Sequence, residues 1–178
     1  MQILALKKLY LQSVFENGLS QSSFEKLNKE HQKMLVKKLE KYHLKPEYRK
    51  TIIVAMTGGV FDIIHPGHIL TLEEAKKHGD ILVVAIATDE TVRKIKKREP
   101  MHSLDERVKM VNALKPVDLA IAGGENWQDT LNRVSPDIVI FGYDQKEKEI
   151  PSTKTIKLDI FSSHENSKTG KVREKLGI

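Results

Sequence analysis

The segment GGVFDIIHPGHI, residues 58 to 69, places two histidines three positions apart, with Pro66 and Gly67 between them. It follows the apolar, β-branched run TIIVAM, residues 51 to 56, which predicts a buried strand. Pro66 suits the first position of a helix, so His65 and His68 are expected at a helix N-terminus. The N–H groups and the dipole of a helix N-terminus favour an anion such as a nucleotide phosphate.

Other interpretations of the two histidines remain possible in isolation. His65 could be a local cap and His68 an ordinary surface residue, and a zinc site is a third reading. The chain has no Cys, and no convincing third zinc ligand lies nearby in the sequence. The context favours a ligand site, because the apolar run ILVVAIA, residues 81 to 87, completes a βαβ unit. In such units ligands bind at the carboxyl edge of the sheet, where the histidines fall.

From residue 51 onward, strand and helix patterns alternate, which predicts a parallel sheet covered by helices. We therefore expect an α/β fold, a doubly wound, Rossmann-like, five-stranded parallel sheet with an N-terminal α-helical extension. Ser103 and Glu106 predict a capping box at the start of a further helix. The predicted strands lie near residues 51–57, 81–87, 118–122, 137–142 and 155–161.

The N-terminal part differs from the rest in charge and in periodicity. Residues 1 to 50 contain eleven Lys and Arg against five Glu, a net charge of +6 that equals the net charge of the whole chain. We place a helical extension at residues 1–49 and a second domain at 50–178. An apolar stripe predicts one helix over 3–16 and a second, capped by Ser22 and Glu25, that runs to Tyr42, giving an αα-hairpin.

Two roles stay open for this extension. Its charge would suit a nucleic-acid backbone. A DNA-binding module normally adds a third helix or a wing, which the sequence does not predict, so we favour packing against the other domain or a partner subunit. We do not expect nucleic-acid binding, and the sequence leaves a homodimer open.

Composition excludes several classes of protein. The sequence has no apolar run of membrane-spanning length and no signal-peptide pattern, so we expect a cytoplasmic protein with no membrane contact. With no Cys, disulfides and thiolate chemistry are excluded.

Residues 51–178 resemble the HxGH nucleotidyltransferase superfamily in its cytidylyltransferase-like branch, whose signature runs approximately GxFDxxHxGH. The segments LKPVD, residues 114 to 118, and GYDQ, residues 142 to 145, are most similar to the archaeal FAD synthases, which are FMN adenylyltransferases. One departure is Val60, where many members have Thr, so no side-chain contact is carried over there. The resemblance implies two catalytic residues, His65 and His68, and nucleotide contacts from Gly59, Val60, Phe61, Asp62, Pro66 and Gly67.

Further residues follow from the same resemblance. Asp89, in the turn ATDE, is implied in the second-substrate site, although an N-cap is an equal interpretation. The basic run RKIKKR, residues 93 to 98, is implied near the phosphates through Lys97 or Arg98, although it could be a solvated face. Arg107 is a candidate nucleotide contact that could equally pair with Glu106 or Asp105, and we expect it beside the core.

The last implied contacts lie toward the C-terminus. Gly142 lets the backbone approach a base or ribose, and Asp144 can accept a hydroxyl hydrogen bond, although a tight turn also explains both. The superfamily has a Ser/Thr-rich phosphate-binding segment that we match, with an uncertain register, to Asn166, Ser167, Thr169 and Arg173.

The resemblance implies transfer of a nucleotidyl group from a nucleoside triphosphate to a phosphate-bearing substrate, with release of pyrophosphate. The leading substrates are ATP and FMN, giving FAD, with Mg²⁺ or another divalent cation carried by the triphosphate. Alternatives are a glycerol-phosphate-type cytidylyltransferase that uses CTP, and a phosphopantetheine adenylyltransferase. From a different class, a DNA-binding regulator could use the site as a nucleotide sensor.

Overall fold

A computed structural model describes residues 2–124, 126–143 and 145–159. Asp144, Asn166, Ser167, Thr169 and Arg173 lie outside the described residues, so their predicted roles remain predictions. Contacts within the chain divide it into two units between Ile53 and Val54.

The first unit combines short helices with one β-hairpin. Its buried side chains include Leu6, Leu9 and Val14 of the first helix, together with Leu19 and Leu35. Leu19 forms an isolated antiparallel bridge with Tyr42 in the hairpin. Its elements, in chain order, are α1 (Gln2–Phe15), α2 (Gln21–Glu25), α3 (Lys29–Lys33), β1 (Leu35–Lys38), β2 (Lys41–Leu44) and α4 (Pro46–Arg49).

The predicted long second helix, and with it the αα-hairpin, is wrong. Ser20 caps α2 instead of Ser22, by accepting a hydrogen bond from the N–H of Ser23. Asn28 then caps α3 by accepting from the N–H of His31 across 2.8 Å. Such caps stop a helix and start another, and they compete with a continuous one. The remaining residues pair as the hairpin β1–β2.

The second unit contains a five-stranded sheet whose strands pair in parallel, in the order β5-β4-β3-β6-β7. The predicted fold class is therefore confirmed. The chain first adds strands on one side of β3 and then on the other, which creates a topological switch point at the carboxyl ends of the central strands. The elements are β3 (Val54–Gly59), α5 (Pro66–Lys76), β4 (Ile81–Ile86), α6 (Asp89–Lys96), α7 (Leu104–Asn112), β5 (Leu119–Ala122), α8 (Trp127–Val134), β6 (Ile138–Phe141) and β7 (Lys154–Lys157).

The strands differ from the predicted ranges mainly at their ends. Strand β3 starts at Val54 rather than at residue 51, because the N–H groups of Thr51 and Ile52 close the turn after α4. Every residue of β4 is buried, as expected for a central strand with both faces covered. The capping box of Ser103 and Glu106 is confirmed at the start of α7. No helix among the described residues is long and apolar enough to cross a bilayer.

Candidate active site

The two signature histidines stack at the N-terminus of α5. Their ring centroids lie 3.8 Å apart, with an angle of 20° between the ring planes. His65 is the N-cap residue, in an extended conformation, and Pro66 occupies the first helical position as predicted. The N–H of His68 donates to the carbonyl of His65 across 2.9 Å, and proline has no N–H. Among the described residues, the N–H of Gly67 is therefore the donor of the first turn that is left to meet a ligand.

The environment of His68 keeps its imidazole neutral. Burial, together with the neighbouring His65, lowers the pKa of His68 from 6.5 to about 3. Within the described part of the chain, the Nδ1 atom of His68 is buried and has no hydrogen-bond partner. A neutral imidazole whose Nδ1 is enclosed can present Nε2–H as a donor to a phosphate oxygen.

The ring of Phe61 packs against the ring of His68. The Phe61 ring is buried and lies 4.8 Å from the ring of His68, centroid to centroid. Phe61 has a φ of 52°, an unusual conformation for a residue with a side chain. A Cβ atom on Gly59 would lie only 2.8 Å from the Phe61 ring, so this turn requires glycine at position 59. The signature therefore contains packing requirements as well as chemical groups.

Asp62 organises the loop between α6 and α7. Its carboxylate is only 1% exposed, and it accepts hydrogen bonds from Arg98 across 2.8 Å and from the N–H groups of Met101 and His102 across 2.7 and 3.2 Å. Burial by itself raises the pKa of Asp62, but these hydrogen bonds outweigh it and hold the pKa below the usual value. The Nδ1 atom of His102 also lies 2.8 Å from the Asp62 carbonyl oxygen. A direct contact of Asp62 with nucleotide stays a prediction.

The two cations expected near the phosphates lie in different settings. Arg98 is tied to Asp62, so it sits against the signature loop. Lys97 is exposed and adopts a left-handed conformation, with φ of 54°, at the C-cap of α6. The structure thus brings Arg98, but not Lys97, into contact with the signature residues.

Arg107 is fully buried, at 0% exposure, so the expectation that it lies beside the core is wrong. It pairs with neither Glu106 nor Asp105. Its guanidinium donates to the carbonyls of Val60, Ala87 and His102 across 2.7 to 3.1 Å and to the Asp89 carboxylate across 2.5 Å. The burial follows from these partners, because every backbone carbonyl at this junction needs a donor.

Asp89 is therefore part of this arrangement rather than a helix cap. The N-cap of α6 is Thr88, whose side chain accepts from the N–H of Thr91. The carboxylate of Asp89 is partly exposed beside the end of β4. Its predicted contact with the second substrate stays a prediction.

Gln145 joins the ends of two strands, a role that the sequence did not predict. Its side-chain amide donates to the carbonyl of Gly58 across 2.7 Å and accepts from the N–H of Gly142 across 2.8 Å. The residue belongs to the segment GYDQ, which marked the region but not this function. Gly142 is thus held close to the end of β3, where the predicted nucleotide contacts of Gly59 and Val60 lie.

The sequence also predicted no role for Trp127, the single Trp of the chain. It is the first residue of α8, and its side chain is 37% exposed. A Cβ atom on Gly58 would lie 3.3 Å from Cζ3 of the indole, so the ring lies against the backbone of β3 near its carboxyl end. The only sequence signal was a large aromatic residue at a helix start after a β-strand.

The described residues do not form a protein cage for a metal ion. No group of three His, Cys, Asp or Glu side chains among them is placed to bind one. Phosphate oxygens and water are the usual remaining ligands of Mg²⁺ in nucleotide sites.

The sequence profile of the Cytidylyltransferase-like family matches residues 56–165, which is more than half of the chain. The chain belongs to this family, and the predicted resemblance is confirmed.

Several relatives named FAD synthase have about half of their residues identical to this chain over the matched region. The FAD synthase of Aciduliprofundum boonei is 50% identical over 102 residues, covering 56% of this chain and 68% of the relative. The FAD synthase of Methanopyrus kandleri is 52% identical over 102 residues, covering 53% and 67%. That of Thermoplasma acidophilum is 50% identical over 99 residues, covering 55% and 69%.

A solved structure, described as the lipopolysaccharide core biosynthesis protein from Thermoplasma volcanium, has the same fold. It is 37% identical, with a TM-score of 0.59, and the match covers 62% of this chain and 99% of the other.

Proposed function

We propose that this protein transfers the adenylyl group of ATP to FMN and forms FAD. The proposal rests on the stacked pair of His65 and His68 at the N-terminus of α5, in a chain that is 50% identical over 102 residues to a protein named FAD synthase. An oxygen of the FMN phosphate attacks the α-phosphorus of ATP. The bond from that phosphorus to the bridging oxygen breaks, and pyrophosphate leaves with the electron pair.

The histidine pair supports this step as a donor site. Neutral imidazoles can donate hydrogen bonds to phosphoryl oxygens as negative charge accumulates in the transition state, without first losing a proton. The depressed pKa of His68 keeps that imidazole neutral throughout the physiological range. The N–H of Gly67 and the dipole of α5 add to the same electrostatic field. This arrangement positions the phosphates and stabilises the transition state, and it requires no covalent intermediate with the protein.

The surroundings of the pair support a nucleoside triphosphate as one substrate. Lys97 and Arg98 follow α6 in the loop that Asp62 ties to the signature. We infer that they face the β- and γ-phosphates and the departing pyrophosphate, whose charge they would stabilise. A divalent cation would enter with the triphosphate and take phosphate oxygens as ligands.

We assign the surface beside Trp127 to the acceptor, and this assignment favours a flat aromatic substrate. The half-exposed indole of Trp127 lies against Gly58, near the carboxyl end of β3. An aromatic surface of this kind can stack on a flavin ring, whereas glycerol phosphate has no ring to stack. This is the feature of the site that favours FMN over a small alcohol phosphate.

Pyrophosphate release by the purified protein tests the proposal. ATP and CTP are each combined with FMN, glycerol phosphate, ethanolamine phosphate and phosphopantetheine. ATP with FMN should turn over fastest, and His65→Ala and His68→Ala should each lower kcat by about 10²- to 10³-fold in a folded protein. A preference for CTP with an alcohol phosphate, or for phosphopantetheine, would replace FAD formation with that activity.

A further inference from the structure

The first unit has the element order of a winged helix-turn-helix. Helix α1 is followed by the single paired residue Leu19, then by α2, a three-residue turn and α3, and then by the hairpin β1–β2. Leu19 exchanges two backbone hydrogen bonds of 2.9 Å with Tyr42, so it pairs with the edge of the hairpin as a one-residue third strand. The third helix and the wing, whose absence from the sequence pattern had argued against DNA binding, are therefore both present.

The tip of this hairpin has features that do not stabilise the isolated unit. Lys38 and Lys41 are directly opposite each other in the β1–β2 register, and like charges in that position are destabilising. Between them, Leu39 is 94% exposed and has a φ of 53°. A left-handed conformation costs a residue with a side chain roughly 1 kcal/mol. The opposed lysines, the exposed leucine and its left-handed conformation are all unfavourable in isolation. Together they indicate that the tip contacts a partner outside the unit.

The charge around the tip indicates the chemistry of that contact. Exposed lysines extend from α3 through the hairpin, and they include Lys29, Lys33 and Lys37. Two of these cations have carboxylate neighbours, Glu30 beside Lys33 and Glu40 beside Lys37, and in both pairs the side chains are exposed. Pairs of that kind contribute little, so the exposed lysines of α3 and the hairpin remain available to a polyanion.

We propose that the first unit binds double-stranded DNA through this hairpin, with Lys38 and Lys41 on phosphates and Leu39 between them in a groove. An apolar residue flanked by cations suits a groove bordered by two rows of phosphates. Helix α3 has five residues, which is short for reading bases in the major groove. Binding is therefore mainly to the backbone, independent of sequence and steeply dependent on salt. DNA binding by the first unit does not depend on the adenylyltransferase activity of the second.

Fluorescence anisotropy with a labelled mixed-sequence duplex tests the proposal on the full chain. Affinity should fall steeply between about 50 and about 200 mM salt. The variant Lys38→Gln/Lys41→Gln should bind at least tenfold more weakly, and its log–log salt slope should be shallower by about two. The matched control Lys109→Gln/Lys115→Gln removes the same charge from exposed positions of the second unit and should bind like the wild type.

Thermal unfolding separates a binding role from a structural one. Lys41 also attracts the Glu16 carboxylate, whereas among the described residues Lys38 faces only the opposed lysine and His43, so Lys38→Gln alone should unfold at the same temperature as the wild type or higher. A lower unfolding temperature would show that Lys38 supports the fold and would overturn the proposal.

Other results would also overturn it. The intact chain could fail to bind the duplex, or both double variants could lose binding equally. The chain could bind phosphatidylserine vesicles but not the duplex. It could also form a salt-insensitive dimer that Leu39→Ser dissociates, which would assign the tip to a contact between two copies.

Discussion

Arg107 and Asp89 form a hydrogen-bonded ion pair of 2.5 Å, although they are eighteen positions apart in the sequence. The same guanidinium donates to the carbonyl oxygens of Val60 and Ala87, which follow β3 and β4. One buried side chain thus joins the ends of the two strands that carry the signature loop and the ATDE turn. The positions of His65 and of Asp89 depend on a residue that is closed to solvent.

Replacing Arg107 should destabilise the protein strongly. Arg107→Met leaves the Asp89 carboxylate and three carbonyl oxygens without this donor, and we expect the free energy of unfolding to fall by about 3 kcal/mol or more in urea titrations. The stability of Arg107→Lys should lie between that of the wild type and that of Arg107→Met, because an ammonium group keeps the charge but not the planar set of donors. Lys109→Met, on the exposed side of the same helix, should change stability by less than about 0.5 kcal/mol. Equal small effects for Met at 107 and 109 would contradict this role.

The depressed pKa of His68 predicts a pH dependence of stability. In the unfolded chain His68 takes up a proton near pH 6.5, whereas in the folded protein it does so only near pH 3. The unfolded state therefore gains more protons as the pH falls below 6.5, and the stability contributed by neutral His68 is lost progressively down to about pH 3. Between pH 7 and pH 5 the wild type should lose up to about 2 kcal/mol more than His68→Asn. Identical pH slopes for the two proteins would show that His68 is not buried in its neutral form.

Lys97 should affect stability and function in opposite directions. Lys97→Gly relieves the left-handed conformation and should raise the free energy of unfolding by about 1 kcal/mol. It also removes a cation, so KM for ATP should rise while KM for FMN changes little. Lys94→Gly removes the same charge within helix α6 and should lower stability by about 1 kcal/mol. If both variants alter KM for ATP equally, the basic run acts only as a diffuse charged face.

Trp127 offers a direct test of the acceptor site. As the single Trp of the chain, it reports without interference from a second indole. FMN should quench its fluorescence in a saturable way, and ATP alone should not, with free tryptophan amide as the control for light absorbed by the flavin. Trp127→Leu should raise KM for FMN about tenfold, the scale of one lost stacking contact. Quenching by ATP instead would place the adenine beside the indole.

The parts of the fold that sequence predicted correctly are those set by local patterns. The helix after Pro66 and the capping box of Ser103 depend on neighbours within one turn. The buried strands follow from continuous apolar runs such as residues 81 to 87. The signature also predicted that His65 and His68 would meet, because three residues span about one helical turn.

The errors arose where distant contacts decide the structure. The hairpin β1–β2 is fixed in part by the bridge from Leu19 to Tyr42 and by the stacking of Phe24 on Tyr42, at 3.9 Å between centroids. The helical spacing of apolar residues, on which the prediction of a long helix depended, contains no information about either contact. The burial of Arg107 depends likewise on Val60, 47 residues earlier, and a charged residue is otherwise expected at the surface.

FAD formation by this protein requires that the α-phosphoryl group of ATP moves to FMN. Purified protein is incubated with FMN and with ATP labelled in either its α- or its γ-phosphate, and the products are separated. The α-label should appear in FAD and the γ-label in pyrophosphate. Transfer of the γ-label to a flavin product, or no flavin product from either ATP, would contradict adenylyl transfer to FMN.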